Sequence, residues 1–205
     1  MKNLFLIQPR SLLKRIYPRA IWNLGRSEKN IYLTFDDGPI PGLTEWVLDE
    51  LQKYKARATF FCVGDNIKKH PEIFERILTN GHQVANHTMH HPRGFRRSVA
   101  GYLQDVDECR ILVNNNLFRP PYGQLSPGQY RGLVRKGYRI ILWDVISYDY
   151  ENIQGEQCAR NVLRNTKGGS IVLFHDNIKA EKNLKYALPR FLEHFSEKGF
   201  QFRSL

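Results

Sequence analysis

Cysteine is scarce in this chain: three residues in 205, Cys62, Cys109 and Cys158, widely spaced and odd in number. No C-x-x-C pair is present, so neither a thiolate zinc site nor a disulfide framework is indicated, and buried, reduced thiols are the reading. Long apolar runs are missing as well. In the basic, partly apolar start from Met1 to Trp22 the longest is Leu4-Phe5-Leu6-Ile7, short of the ~7–15 residues of a secretory core. No stretch approaches the ~20 apolar residues of a membrane span. With neither a cleavable leader nor a span recognised, the expected location is cytoplasmic or membrane-peripheral. Linkers, low-complexity tracts and internal repeats are absent too. A chain of 205 residues is long enough for one domain with a sizeable core and short for two.

Acidic residues are outnumbered, 20 against 31 Lys and Arg, which gives a formal charge of +11. That balance favours an acidic partner or surface. The basic residues are spread along the chain, the densest set being Arg93, Arg96 and Arg97. No recognition helix, zinc finger or stacking platform accompanies them, so nucleic acid is not the expected partner. A basic rim around a site for an acidic glycan explains the charge as well, and so does a generally solvated surface. Near the start, Leu12, Leu13, Ile16 and Tyr17 stand among Arg10, Lys14, Arg15 and Arg19. This reads as a short amphipathic helix. Residues 1–30 are expected to form a basic segment packed on the domain that follows, with docking on a membrane surface as the alternative.

From residue 31 onward, apolar β-branched runs alternate with helical patterns. Expected strands are Ile31–Phe35, Ala58–Val63, Gln83–Asn86, Leu117–Arg119, Tyr138–Trp143, Ser170–Phe174 and Phe200–Arg203. Between them Leu43, Val47, Leu51 and Tyr54 recur at helical spacing, as do Val99, Tyr102, Val106, Cys109 and Val113, and later Leu184, Leu188, Phe191 and Phe195. Gly81, Gly137 and Gly199 each follow a helical pattern and precede a strand, as C-terminal caps do. This alternation calls for a parallel sheet of about seven strand–helix units, one fewer than a complete eightfold barrel. Asp36, His87, Arg119, Asp149 and His175 all follow the C-terminal ends of different strands. Only a ring of strands brings such ends to one pocket, so the fold class is α/β, a barrel rather than an open sheet.

Two segments carry the chemistry. Thr34-Phe35-Asp36-Asp37-Gly38-Pro39 ends a strand with adjacent carboxylates, and Asn86-His87-Thr88-Met89-His90-His91-Pro92 supplies imidazoles. A carboxylate and two imidazoles can hold a divalent ion with a coordination position left open, while a neighbouring carboxylate handles the proton of a water. In a regular strand Asp36 and Asp37 would point to opposite sides, so different roles are natural. Spacing alone does not choose among His87, His90 and His91, because residues three or four apart share a face of a helical turn.

Together with Phe118-Arg119-Pro120-Pro121-Tyr122-Gly123 and Leu173-Phe174-His175-Asp176, and in this order, these segments resemble the polysaccharide deacetylase family, the nodulation-protein-B-like domain of carbohydrate esterase family four. The resemblance runs from about Ile31 to the C-terminus and implies a distorted, incomplete (β/α) barrel over residues 31–205. It implies that Asp37, His87 and His91 hold a divalent ion, zinc in the first place, with cobalt, manganese, iron or nickel compatible with the same donors. His90 is then a bystander. By the same resemblance Asp36 is the general base, Arg119 orients it, the backbone N–H of Tyr122 faces the oxyanion, His175 is the general acid, and Leu173 lines the acetyl-methyl pocket. The segment Trp143 to Tyr150 departs from the family's Trp-x-x-Asp-x-x-Asp-Trp: Ile146 stands for the first aspartate and Tyr150 for the final tryptophan. Asp149 is retained and would hold His175 protonated, and Tyr150 can still wall the acetyl pocket.

The implied activity is metal-dependent hydrolysis of N-acetyl groups on N-acetylglucosamine-containing poly- or oligosaccharide, peptidoglycan or chitin-like, releasing acetate. Two alternatives stand beside it: an O-acetyl esterase on a glycan such as acetylated xylan, and a catalytically silent glycan-binding module.

Overall fold

The strand Asn30–Asp36 (β1) is the axis of the structure, because three other strands hydrogen-bond to it, all parallel. Its alternation separates two environments. Leu33 and Phe35 point outward into a fully buried core, and Tyr32, Thr34 and Asp36 share the opposite, inner face. The computed structural model describes residues 11–26 and 29–205, without the side chains of residues 11–13.

The remaining strands are Thr59–Cys62 (β2), Gln83–Asn86 (β3), Leu117–Phe118 (β4), Arg139–Ile140 (β5), Val145–Ile146 (β6), Ile171–His175 (β7) and Gln201–Arg203 (β8). Their order across the sheet is β5-β4-β3-β2-β1-β7-β6, with β8 also on β1. All pairings are parallel. The sheet curls into an incomplete barrel. Where it fails to close, residues just before β1 cross the gap: Ile21 bridges Ile141 and Asn23 bridges Ser170.

Helices Leu43–Lys53 (α2), Gly64–Lys69 (α3), Pro71–Thr79 (α4), Val99–Val113 (α5), Pro127–Arg135 (α6), Gly155–Asn165 (α7) and Glu181–Glu197 (α8) surround the sheet, after a short first helix Ser11–Ile16 (α1). Local sequence explains their limits. Ser98 caps α5, accepting from the Gly101 N–H at 3.1 Å, and Ser126 with Gln129 forms a capping box at α6. Gly81, Gly137 and Gly199 sit at φ of 76°, 80° and 74° after their helices, a conformation that costs a Cβ-bearing residue energy.

The outer core lies between sheet and helices. Phe35 stacks on Phe60 at 5.0 Å and Phe174 meets Phe191 of α8 at 5.8 Å. Each such ring contributes about 1.5–3 kcal/mol by leaving water. A smaller cluster inside the barrel joins Phe61, Ala85, Leu117, Ile141 and Ile171. All three cysteines are buried and free; burial raises each thiol's pKa, that of Cys109 to about 12. In the N-terminal segment Tyr17 and Trp22 are buried against α5 and α6, and the Tyr17 hydroxyl donates to the Leu125 carbonyl at 2.6 Å; residues 1–10 lie outside the described residues.

One expected strand is cut short. Of Tyr138–Trp143 only Arg139–Ile140 is β5, and β6, which was not expected, forms within the segment Trp143 to Tyr150. The Arg119 guanidinium takes the carbonyls of Ile141 and Leu142, and Asp144 accepts from Ser170 at 2.7 Å and Arg26 at 2.9 Å. The chain is thereby drawn from the β5 edge to β7, where Val145 and Ile146 pair with Val172 and Leu173.

Candidate active site

The strand ends converge as a barrel requires. β1 delivers Asp36, β3 is followed by His87, β4 by Arg119, β6 by Asp149, and β7 ends in His175. The two aspartates do not alternate as a regular strand would make them. Asp37 has left the strand at φ 87°, and its carboxylate comes to the same imidazole as that of Asp36. His87 Nε2 lies 3.8 Å from Asp36 Oδ2 and 3.5 Å from Asp37 Oδ1. The imidazoles, likewise, are not on a helical turn. Residues 87–92 form a loop in which Thr88 and His91 adopt φ of 69° and 54°.

That loop separates the three histidines. His87 Nδ1 is 2.8 Å from the carbonyl of Arg119, which can only accept, so Nδ1 carries a proton and Nε2 faces the aspartates. His91 Nε2 stands 3.0 Å from Asp37 Oδ1. His90 turns away to Asp105, Nδ1 to Oδ2 at 2.8 Å. Asp37, His87 and His91 therefore offer ligand atoms all within 4.8 Å of one another. The donor set fits a divalent ion on an independent observation: Asp37 Oδ1 is buried and has no hydrogen-bond partner of acceptable geometry. Burial works against charge on Asp37, but His87 and His91, with the charge of His175, outweigh it and hold the carboxyl well below the usual range.

Arg119 is fully buried inside the barrel, over the Phe61 ring at 4.0 Å. Its NH1 donates to Asp36 Oδ1 at 2.6 Å and to Thr34 Oγ1 at 2.9 Å. With one carboxylate oxygen so held, Oδ2 faces the imidazoles. Burial lowers the guanidinium pKa and Asp36 opposes that effect.

On the other side His175 Nδ1 meets Asp149 Oδ1 at 2.8 Å, and its backbone N–H donates to Asp149 Oδ2 at 2.8 Å. Burial disfavours the imidazolium, but the Asp149 charge prevails and raises the His175 pKa to about 9. Tyr150 sets its ring edge-on to His175 at 4.6 Å. Leu173 shares the inner face with His175 by strand alternation, and Ile146 packs beside it as a buried β6 residue. Tyr122 is half exposed at φ 58°, its ring 4.8 Å from that of His91.

A sequence profile described as polysaccharide deacetylase matches residues 24–141, more than half of the chain. The chain belongs to the polysaccharide deacetylase family. Its relatives include a peptidoglycan-N-acetylglucosamine deacetylase of Bacillus cereus, 33% identical over 188 residues that span 88% of each chain. A chitooligosaccharide deacetylase of Sinorhizobium fredii is 31% identical over 206 residues, 92% of this chain and 96% of the relative. Among solved structures, a peptidoglycan N-acetylglucosamine deacetylase superposes with a TM-score of 0.88 at 28% identity, covering 96% of this chain and 94% of that one.

Several supports of this candidate site escaped sequence reasoning. Asn177 donates to Asp37 Oδ2, and Asn66 donates to the Asp37 carbonyl at 2.8 Å. Asp176, fully buried, accepts from the Gly38 N–H at 3.1 Å and the Thr44 hydroxyl at 2.6 Å; burial raises its carboxyl to about 8. Gly38 is needed there, since a Cβ would fall 1.9 Å from Asp176 Oδ2. Asp105 of α5 accepts from the N–H groups of Met89 and His90 at 2.8 and 3.1 Å and so fixes the histidine loop. Asp176 lies within a quoted motif and Asn177 adjoins it, so both could have been suspected. Nothing in the helical pattern of α5 marks Asp105.

Proposed function

We propose that this enzyme removes N-acetyl groups from N-acetylglucosamine-containing glycan, peptidoglycan or chitin-like, releasing acetate and leaving a free amine. The observation that supports it is the convergence of three groupings on one barrel mouth: Asp37 with His87 and His91, Asp36 with Arg119, and His175 with Asp149. A divalent ion held by Asp37, His87 and His91, with zinc as the expected occupant, would supply Lewis acidity toward the acetamide carbonyl and make a water more acidic.

The chain's own residues account for the proton movements. Asp36, oriented through Oδ1 by Arg119, takes a proton at Oδ2 from the attacking water. The water oxygen bonds to the carbonyl carbon, and the backbone N–H of Tyr122 serves the oxyanion that forms. His175 directs Nδ1–H to Asp149, which leaves Nε2–H to protonate the departing nitrogen as the C–N bond breaks. Leu173 and Tyr150 shape the space for the acetyl methyl group. Every role in acyl transfer to water has an occupant.

The test is acetate release from N-acetylglucosamine oligomers and peptidoglycan by zinc-reconstituted protein, repeated after chelation. Acetate released only with the ion present is the expected result. Full activity in chelated protein shown by elemental analysis to be metal-free would overturn the proposal.

A further inference from the structure

The mouth of the site carries a cation that the reaction does not use. Arg93 follows His91 by two residues and places its guanidinium over the Tyr122 ring, 4.1 Å from the centroid. The same ring touches His91. The backbone here is pinned. Gln129 Nε2 donates to the carbonyls of Gly94 and Arg97 at 2.8 and 3.1 Å, and a Cβ on Gly94 would lie 2.3 Å from the Gln124 carbonyl oxygen. Only glycine allows that approach. Arg93 thus rises from a fixed loop onto a fixed ring.

Its charge is also unpaired. Arg26, Arg76, Arg119, Lys53, Lys136 and Lys185 all meet carboxylates. Among the described residues no carboxylate pairs with Arg93, or with Arg96 and Arg97 beyond it. Phe95, in the same turn, is 65% exposed. A planar, permanently charged fork seated over an aromatic ring is organised for bidentate capture of a carboxylate, and the exposed rings beside it suit the apolar face of a sugar.

We infer that Arg93, seated on Tyr122, forms a subsite for a carboxylate on the glycan, so that the enzyme prefers an amino-sugar chain bearing carboxylates, such as lactyl ethers of N-acetylglucosamine, over neutral chitin-like chains. This rests on the proposed deacetylase reading and specifies its substrate. The subsite lies beside His91, where it would receive a substituent of the reacting sugar or of its neighbour.

The experiment uses zinc-loaded full-length protein and two probes of equal size: a tetrasaccharide of alternating N-acetylglucosamine and N-acetylmuramic acid, and its lactyl methyl ester. The free acid should be favoured in kcat/KM by about three- to tenfold at low ionic strength, the reach of one exposed charge-assisted contact. Added salt should shrink that ratio. Arg93→Ala should bring it close to one, and Arg93→Lys, which keeps charge but loses the fork, should fall between. Arg164→Ala, at the far end of α7, controls for bulk charge. A ratio unmoved by Arg93→Ala, or moved equally by Arg164→Ala, overturns the inference. Calorimetric binding of both probes to the same proteins separates the two failures. No acetate from either probe sinks the deacetylase reading, whereas binding that ignores the carboxylate sinks the role of Arg93.

Discussion

Asp149→Asn isolates the electrostatic contribution to acid catalysis. Asp149 is fully buried and meets both the ring and the backbone N–H of His175, so the amide fits the same space but carries no charge. In the folded protein the His175 pKa stands at about 9, raised from 6.5 by Asp149 against the cost of burial. At about 1.4 kcal/mol per unit this is on the order of 3 kcal/mol favouring the charged ring. The sign of its linkage to stability follows. A raised pKa contributes fully below about 6.5, where the ring is protonated folded or unfolded, and the contribution is lost as pH rises through about 9. Without Asp149 the burial cost is opposed only by the lesser effects of Asp37 and Asp36, and the pKa should fall back toward 6.5. At pH 8 the protonated fraction should then drop roughly thirtyfold, with little loss near pH 6. The assay is a pH–rate series on an acetylated amino sugar and on an aryl acetate, with His175→Ala beside it. His175→Ala should flatten the alkaline limb and damage the amide more than the ester, because a phenolate departs unaided and an amine anion does not. An unmoved limb in Asp149→Asn, together with equal damage to both substrates in His175→Ala, would refute the assignment of His175 as acid.

The other groups of the site make separable predictions. Asp37→Ala or His87→Ala should abolish stoichiometric binding of a divalent ion, read by elemental analysis after dialysis, because two donors are too few to retain it. Asp36→Asn should still bind the ion while turnover falls by about two to four orders of magnitude, the reach of a general base; normal turnover would mean that the aspartates are assigned the wrong way round. Asn177→Ala, which frees Asp37 Oδ2, should weaken ion affinity by about 10–100-fold in competition with a chelating dye, and unchanged affinity would deny it an orienting role.

The barrel was legible because β1, β2 and β7 are largely apolar runs, and β3 and β8 follow Gly81 and Gly199, which end the helices before them. The early end of β5 was not, since a side chain distant in sequence, Arg119, takes the Ile141 and Leu142 carbonyls. At the site, the identities of Asp36, Asp37, His87 and His91 could be read from the motifs, but the reasons for their convergence could not. Strand alternation and helical spacing both give the wrong geometry here. The backbone overrides them: Asp37, Thr88, His91, Tyr122 and Tyr148, in the loops at the barrel mouth, all adopt positive φ. Such strain costs of order 1–3 kcal/mol per residue and persists only where surroundings over-determine it. Those surroundings are Asn66, Asn177, Asp176 and Asp105, contributed by elements far apart in the sequence.

Arg119 shows how the two halves of the chemistry are joined. Its side chain holds Asp36 and Thr34, and its backbone carbonyl receives His87 Nδ1–H. One residue therefore orients the proposed base through a side chain and fixes the tautomer of a candidate ligand through the main chain. A buried guanidinium is expensive unless its donors are satisfied, and here Nε, NH1 and NH2 all find acceptors, with the Phe61 ring beneath. An exposed arginine could do neither task with fixed geometry. Burial within the barrel is what makes Arg119 a rigid strut, and it holds Asp36 Oδ2 3.8 Å from His87 Nε2 without either group ligating the other. On the proposed assignment, base and ligand are thus kept as neighbours with separate functions, as hydrolysis at one carbonyl carbon requires.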